Sequence, residues 1–238
     1  MSDTTRERHI VAFGGVGLTP EPQHLLMHTY VLGLARSERP KVLFVPTASG
    51  EDQSLIVRFY ALYTQLPCQP THLSLFSLPT ADLRSFALAQ DVIYVGGGNT
   101  KSMLALWHEW GLDSIFREAW DGGTVLAGAS AGAICWFEEG ITDSIPGPLT
   151  PLNCLGYLKG SCCPHYDSEP ARRPTYTRMV AEGRLPAGYA ADDLAGLHFV
   201  GDELARVVTG RPQAKAYRVE KVDGGFTEVA LETRFLGG

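Results

Sequence analysis

The sequence predicts an α/β fold: a mainly parallel β-sheet with helices on both faces and a C-terminal antiparallel extension. Three observations carry that expectation. Apolar runs alternate with amphipathic stretches through the first half of the chain. The runs are apolar at consecutive positions, as strands covered on both faces must be. The second half changes to short strand-like segments that end in a hairpin signal.

Taken in order, strands are expected at 9–13, 42–45, 91–95 and 124–127, with a weaker one at 72–76. Helices are expected at 22–36, 52–65, 101–110 and 112–120. In the last of these, Leu112, Ile115, Phe116 and Ala119 recur at the spacing of one helical face. Right-handed crossovers between parallel strands line up the strand C-terminal ends, and with them most of the chemistry, along one edge of the sheet. After a proline-rich loop at 145–151, a helix is expected at 170–182, then strands at 197–200, 205–209 and 216–220. Asp223-Gly224-Gly225 lies between the segments 217–222 and 226–231 and signals a hairpin. No linker, charge block or repeat divides the chain, so residues 1–238 are expected to form one α/β domain.

Composition narrows the function. The 238 residues carry 20 Lys and Arg against 26 Asp and Glu, a formal charge of −6, which argues against a nucleic-acid partner. Met1 to Arg8 has no apolar core and is not expected to be a secretory leader. The longest uncharged apolar run, 122–137, is too short and too rich in glycine to cross a bilayer. Five cysteines without CxxC spacing read as reduced thiols of a cytoplasmic protein rather than a disulfide framework. Adjacent Cys162 and Cys163 are weighed as metal ligands and set aside, so neither metal nor cofactor is expected.

The sharpest local feature is Gly128-Ala129-Ser130-Ala131-Gly132, which follows an expected buried strand and opens a helical pattern. This is G-x-S-x-G in the strand–turn–helix context of a nucleophile elbow, where only small neighbours fit beside the serine. The Ser130 hydroxyl then projects from the strand end. The Ala131 N–H is placed to donate to an oxyanion, and the helix N-terminus adds positive potential. The alternative is a serine that merely caps a helix. Gly96-Gly97-Gly98-Asn99-Thr100, also at a strand end, lets the backbone approach a ligand closely and, beside Ser130 in a parallel sheet, can supply the second oxyanion donor. Gly14-Gly15-Val16-Gly17 is read as turn geometry. Among seven histidines, His165 in Pro164-His165-Tyr166 opens a polar loop after an apolar segment, where a base for Ser130 would sit.

Taken together, Gly96-Gly97-Gly98-Asn99-Thr100, Gly128-Ala-Ser130-Ala-Gly132-Ala133, Pro164-His165-Tyr166 and Pro46-Thr47-Ala48-Ser49 resemble the peptidase E (α-aspartyl dipeptidase) and cyanophycinase family of serine peptidases. The resemblance spans nearly the whole chain in order and spacing. It implies a flavodoxin-like sheet related to class I glutamine amidotransferases, with Ser130 as nucleophile, His165 as base, and Gly98 and Ala131 as oxyanion donors. Two acids compete to orient His165: Asp143, downstream of the elbow, and Asp193 in Asp192-Asp193, which is preferred on geometry. Asp167 is too close in sequence to grip the ring from behind.

A preference for N-terminal aspartate, which the family implies, calls for a cation. Arg172 and Arg173 are the candidates, with Arg178 as runner-up and Asn99 as a further substrate contact. Against this, Asp167 and Glu169 would repel an acidic substrate. Cyanophycinase-like action, an esterase and a non-catalytic anion binder are the other readings. The expected partner is a small peptide, and relatives of this kind commonly pair as homodimers.

Overall fold

The computed structural model describes residues 7–238. Most of the charged start read above as no leader therefore lies outside the described residues. In chain order the elements are β1 (His9–Phe13), α1 (Pro22–Leu32), β2 (Lys41–Val45), α2 (Gln53–Tyr63), β3 (Gln69–His72), α3 (Leu83–Leu88), β4 (Val92–Val95), α4 (Thr100–Glu109), α5 (Leu112–Asp121), β5 (Val125–Ala129) and α6 (Ala131–Ile134). The second half comprises β6 (Phe137–Thr142), β7 (Thr150–Asn153), β8 (Leu158–Cys163), α7 (Arg172–Ala181), β9 (Gly188–Ala191), β10 (Ala195–Val200), β11 (Glu203–Thr209), β12 (Ala216–Val222), β13 (Gly225–Ala230) and β14 (Thr233–Phe235).

The main sheet has the order β14-β11-β10-β1-β5-β4-β2-β3. Its β1, β5, β4, β2 and β3 are mutually parallel, and β10 and β11 extend it antiparallel beyond β1. Ile10–Phe13, Val42–Val45, Val92–Val95 and Val125–Ala129 are buried throughout. Such strands must be covered on both faces, and this is the α/β architecture the sequence predicts.

Two features depart from the expected layout. Residues 137–163 and 188–191 supply four strands that the apolar pattern did not reveal. With β12 and β13 they form a separate six-stranded sheet, β13-β12-β9-β8-β6-β7. The hairpin turns at Asp223-Gly224 as expected, with Gly224 at φ 84°, but it belongs to this second sheet rather than to the extension of the first. The weak strand at 72–76 lies instead at Gln69–His72. There Pro70 is accommodated because β3 is an edge strand. Leu73 and Leu75 are buried in the loop that follows. That loop is held by the buried Glu51 carboxylate, which accepts from the Ser74 hydroxyl and the Leu75 N–H.

Among the described residues, no helix is long and apolar enough to cross a membrane. Cys162 and Cys163 are both buried in β8, and burial pushes both thiols up.

His28 on α1 is fully buried. Its Nε2–H donates to the Gly17 carbonyl at 3.1 Å, while Nδ1 accepts from the Tyr63 hydroxyl at 2.9 Å. That single residue ties α1, α2 and the loop after β1 together. The bond from Tyr63 requires an unprotonated Nδ1 and hence the neutral ring, and burial lowers its pKa to about 4. The unfolded chain binds that proton near the ordinary 6.5, so between pH 6.5 and 4 the unfolded state is the better proton acceptor. Stability present above pH 6.5 therefore falls as the pH drops toward 4, by roughly 3 kcal/mol from this ring. Urea unfolding across that range is expected to show the loss, and His28→Gln is expected to flatten its slope. An unchanged slope in the variant would refute this assignment.

Candidate active site

Ser130 stands between β5 and α6 with φ 57° and ψ −113°, a conformation that costs a non-glycine residue about 1–3 kcal/mol. The small neighbours are a steric necessity. A methyl on Gly128 would strike the Gly132 carbonyl, and one on Gly132 would strike the Val95 carbonyl. The Ser130 side chain makes no capping bond, so its hydroxyl is not spent on the helix. The helix pattern expected after it is cut short: α6 has four residues before β6 begins. One turn supplies little aligned dipole. Local positive potential therefore comes from individual N–H groups, and that of Ala131 has no intrahelical acceptor.

The glycine turn after β4 packs directly on the elbow. A Cβ on Gly97 would lie 3.2 Å from Ser130 Cβ. Gly98 holds φ 136° against the Ala48 carbonyl, which also accepts the Asn99 N–H at 2.7 Å. The Pro46-Thr47-Ala48-Ser49 motif is thus the brace of this turn. Among the described residues, the Gly97 and Gly98 N–H groups have no acceptor.

His165 follows β8 in the second sheet, at φ 54°. Its N–H donates to the Gly14 carbonyl at 3.3 Å, which seats it beside the loop leaving β1. Its ring Nδ1–H donates to Asp193 Oδ1 at 2.7 Å, leaving Nε2 without a partner among the described residues. Asp193 lies where the chain crosses from β9 to β10, and Leu194 beside it has φ 65°. Three of the four non-glycine residues with positive φ among those described, Ser130, His165 and Leu194, therefore belong to this one place.

The two neighbouring carboxylates have opposite electrostatics. The His165 bond holds Asp193 below the usual carboxylate range, whereas burial raises Asp192 to about 6. Asp192 is occupied by the Lys215 N–H at 2.9 Å. Of the two, the group touching the imidazole is therefore the one that keeps its charge to the lower pH.

Ser130, His165 and Gly96–Gly98 line a common cavity of about 390 Å³, together with Gly15–Thr19, Phe44, Tyr94, Leu55 and Arg58. Ala131, 1% exposed, lies directly after Ser130. Several expected site residues are elsewhere. Asp143 is 64% exposed at the end of β6, and its partner is Arg172 at 3.6 Å. Asn99 is not free for substrate: its Oδ1 caps α4 through the Ser102 N–H and its Nδ2 donates to the Ser144 carbonyl.

Arg172 is 2% exposed and locked to Glu169 at 2.6 Å and to the Ile141 carbonyl at 3.0 Å. Arg173 pairs with Glu228 and lies over the Tyr166 and Tyr217 rings. None of Arg172, Arg173 and Arg178 lines the cavity. Asp167 and Glu169 are likewise neutralised, by Arg211 and Arg172, which removes the expected repulsion. Asp167 also accepts the Asp193 N–H at 2.8 Å, so it steadies Asp193 rather than the His165 ring.

Sequence reasoning missed the wall formed by Gly15–Thr19 and the cavity face of α2. The position of Gly14–Gly17 at a strand C-terminal end was the available signal. A methyl on Gly15 would collide with the Asp193 carboxylate and the His165 ring.

A strand-borne serine, a carboxylate-held histidine and unfilled N–H groups in one cavity form a hydrolase-type site on an α/β sheet. The model of peptidase family S51 matches residues 10–207, and the chain belongs to that family. It is 53% identical over 230 residues to the uncharacterized peptidase YgaJ of Bacillus subtilis (strain 168), covering 97% of this chain and all of that one. Among solved structures, a peptidase from an acI-B1 actinobacterium is similar at TM-score 0.71 and 16% identity, with 98% of each chain covered. A putative peptidase E protein from Listeria monocytogenes EGD-e is similar at TM-score 0.61 and 20% identity, with 85% of this chain and 98% of that one covered. These structures share the fold.

The histidine–carboxylate bond gives a direct check. A downfield imidazole Nδ1–H resonance is expected in the intact protein and in Asp143→Ala, and is expected to vanish in Asp193→Ala. Persistence of the signal in Asp193→Ala would exclude Asp193 as the partner.

Proposed function

We propose that this family S51 peptidase is a serine peptidase that cleaves short peptides through an acyl-enzyme intermediate. The observation that carries the reading is the strained, uncapped Ser130 sharing a cavity with a histidine whose far nitrogen is held by Asp193. Nε2 of His165 takes the Ser130 proton as Oγ attacks the scissile carbonyl. Asp193 keeps the ring in the tautomer with Nε2 free and stabilises the imidazolium that forms. The tetrahedral oxyanion is received by the unfilled N–H groups of the Gly97–Gly98 turn and of Ala131. His165 then returns the proton to the leaving amine. Water, deprotonated by the same nitrogen, releases the acyl group.

A cavity of about 390 Å³ suits a ligand the size of a dipeptide better than an extended chain. The finer preference, for an N-terminal aspartyl residue, rests on the resemblance to peptidase E. The cytoplasmic assignment rests on the cysteine pattern.

A panel of X-Leu dipeptides with free amino termini, run on the wild type and on Ser130→Ala, tests the proposal. The variant is expected to lose at least about 1,000-fold in kcat/KM, and a fluorophosphonate is expected to label Ser130 in the folded wild type. No adduct would favour an anion-binding protein over an enzyme, and turnover of acyl esters with peptides left intact would favour an esterase.

A further inference from the structure

The carboxylate that faces His165 stands on a three-residue crossing, 192–194, from β9 of the second sheet to β10 of the first. A second crossing, 210–215 from β11 to β12, spans the same gap beside it, because β9 pairs with β12 and β10 with β11. The two are tied residue by residue. Asp192 donates its N–H to the Lys215 carbonyl at 3.0 Å and accepts the Lys215 N–H on Oδ2 at 2.9 Å. The Leu194 carbonyl accepts the Gly210 N–H at 2.9 Å. For Asp193, between them, the tie runs through a third segment. Its N–H donates to Asp167 Oδ1 at 2.8 Å, and Asp167 Oδ2 pairs with Arg211 of the second crossing.

This indirect tie supplies what the local backbone lacks. The Asp193 side chain is 35% exposed, and Leu194 after it holds φ 65°, so neither burial nor ordinary backbone preference fixes the carboxylate. Electrostatics add to the need. Asp167, Asp192 and Asp193 bring three carboxyl groups together, and Arg211 is the cation among them. The His165 bond is the main cause that holds Asp193 low, with the Ser168 hydroxyl and the charge of Arg211 acting in the same direction. At Asp192, where burial dominates, the charge of Asp167 raises the pKa and that of Arg211 opposes it. Among the described residues Asp167 is the one side chain that Arg211 bonds, and the Arg211 Nε is enclosed without a partner.

From this arrangement we infer that Asp167 and Arg211 are positioning residues for the His165–Asp193 pair. Arg211 holds Asp167, Asp167 holds the Asp193 N–H, and Asp193 thereby meets Nδ1 in the geometry that leaves Nε2 free. The inference rests on the peptidase reading for its effect on turnover and on geometry alone for its effect on the ring. An ion pair whose members are 31% and 39% exposed contributes little to global stability. A small displacement of a group that orients a reacting side chain, in contrast, is costly to the rate.

Three substitutions dissect the tie. Asp167→Ala removes the acceptor of the Asp193 N–H, Asp167→Asn keeps an oxygen there without the charge that holds Arg211, and Arg211→Gln removes the cation. On the X-Leu panel, kcat is expected to fall about 10–100-fold in Asp167→Ala with KM within about twofold. Asp167→Asn and Arg211→Gln are expected to lie between it and the wild type. Adding Arg211→Gln to Asp167→Ala is expected to cost nothing more, because Arg211 acts through Asp167. In Asp167→Ala the downfield His165 Nδ1–H resonance is expected to broaden or move upfield and the Asp193 amide to exchange faster, while the thermal midpoint stays within about 3 °C. Asp167→Asn, which barely changes volume, carries the same readouts should the alanine variant fold poorly.

A wild type without that resonance, a resonance and Asp193 amide unchanged in the Asp167 variants, a loss confined to KM, or losses that add in the double variant would overturn the inference. The resonance and the amide are read without substrate, so they decide the inference even if no peptide is cleaved. Wild-type kcat in Asp167→Ala with an unmoved resonance would reject it while leaving Ser130 as the nucleophile.

Discussion

Two backbones approach at the exit of β1 more closely than any side chain would permit, and the site depends on that approach. Methyl groups on Gly14 would meet the Ala191 and Asp192 carbonyls, and on Gly15 the Asp193 carboxylate. Without them the loop bonds directly to its neighbours: Gly14 N–H to Ala195 O at the start of β10 at 3.0 Å, Leu194 N–H, in the crossing after β9, to Gly15 O at 2.7 Å, and His165 N–H, beyond β8 of the second sheet, to Gly14 O. Ser130 arrives from the main sheet, whereas His165 arrives from the second sheet and Asp193 from the crossing between the two. The glycines are what allow one cavity to hold all three. Each of these hydrogen bonds contributes about 1 kcal/mol net. The left-handed conformations of Ser130, His165 and Leu194 cost about 1–3 kcal/mol each, so the bonds alone do not offset the strain. The balance comes from the fully buried β1 and β5 core on which the loop is mounted.

The electrostatics of the elbow follow from how short α6 is. A long helix would aim a summed dipole at Ser130, but a four-residue turn ending in β6 cannot. What remains are single N–H groups whose direction must be fixed by packing. This explains why the Gly96–Gly98 turn is braced so heavily, by Phe44 beneath Gly96 and by the Ala48 carbonyl against Gly98 and Asn99. The side chain of Asn99 serves the same purpose. By capping α4 and holding the Ser144 carbonyl it anchors the turn at its C-terminal side.

How much was legible depended on whether a residue's role is local. The parallel strands were, because burial on both faces writes a continuous apolar run such as Val42–Val45. The elbow was, because its steric demand falls on four adjacent positions. The strands of the second sheet were not: Phe137–Thr142 follows directly on the helical pattern after Ser130 and has no continuous apolar run, and Thr150–Asn153 overlaps the proline-rich loop at 145–151. His165 could be picked out by its position after an apolar segment, yet its partner could not be settled between Asp143 and Asp193. That choice is made by the crossing from β9 to β10, a tertiary fact separated from His165 by 28 residues.

The arginines near His165 show why proximity in sequence misleads about substrate contacts. The loop and helix after the histidine hold Asp167, Glu169, Arg172 and Arg173 within seven residues, an arrangement that invites both an attractive and a repulsive reading. In the fold both readings cancel, because each charge meets an opposite one within the chain. For Arg172 the pairing is not optional. At 2% exposure, stripping it of its carboxylate would leave a buried charge at a cost of about 3–5 kcal/mol, more than a single charged hydrogen bond to substrate returns. Arg173 is more exposed, and its ion pair is the weaker kind, but its guanidinium lies over the Tyr166 and Tyr217 rings and does not line the Ser130 cavity. Charge that is already satisfied within the chain serves instead to hold the loop that carries the histidine.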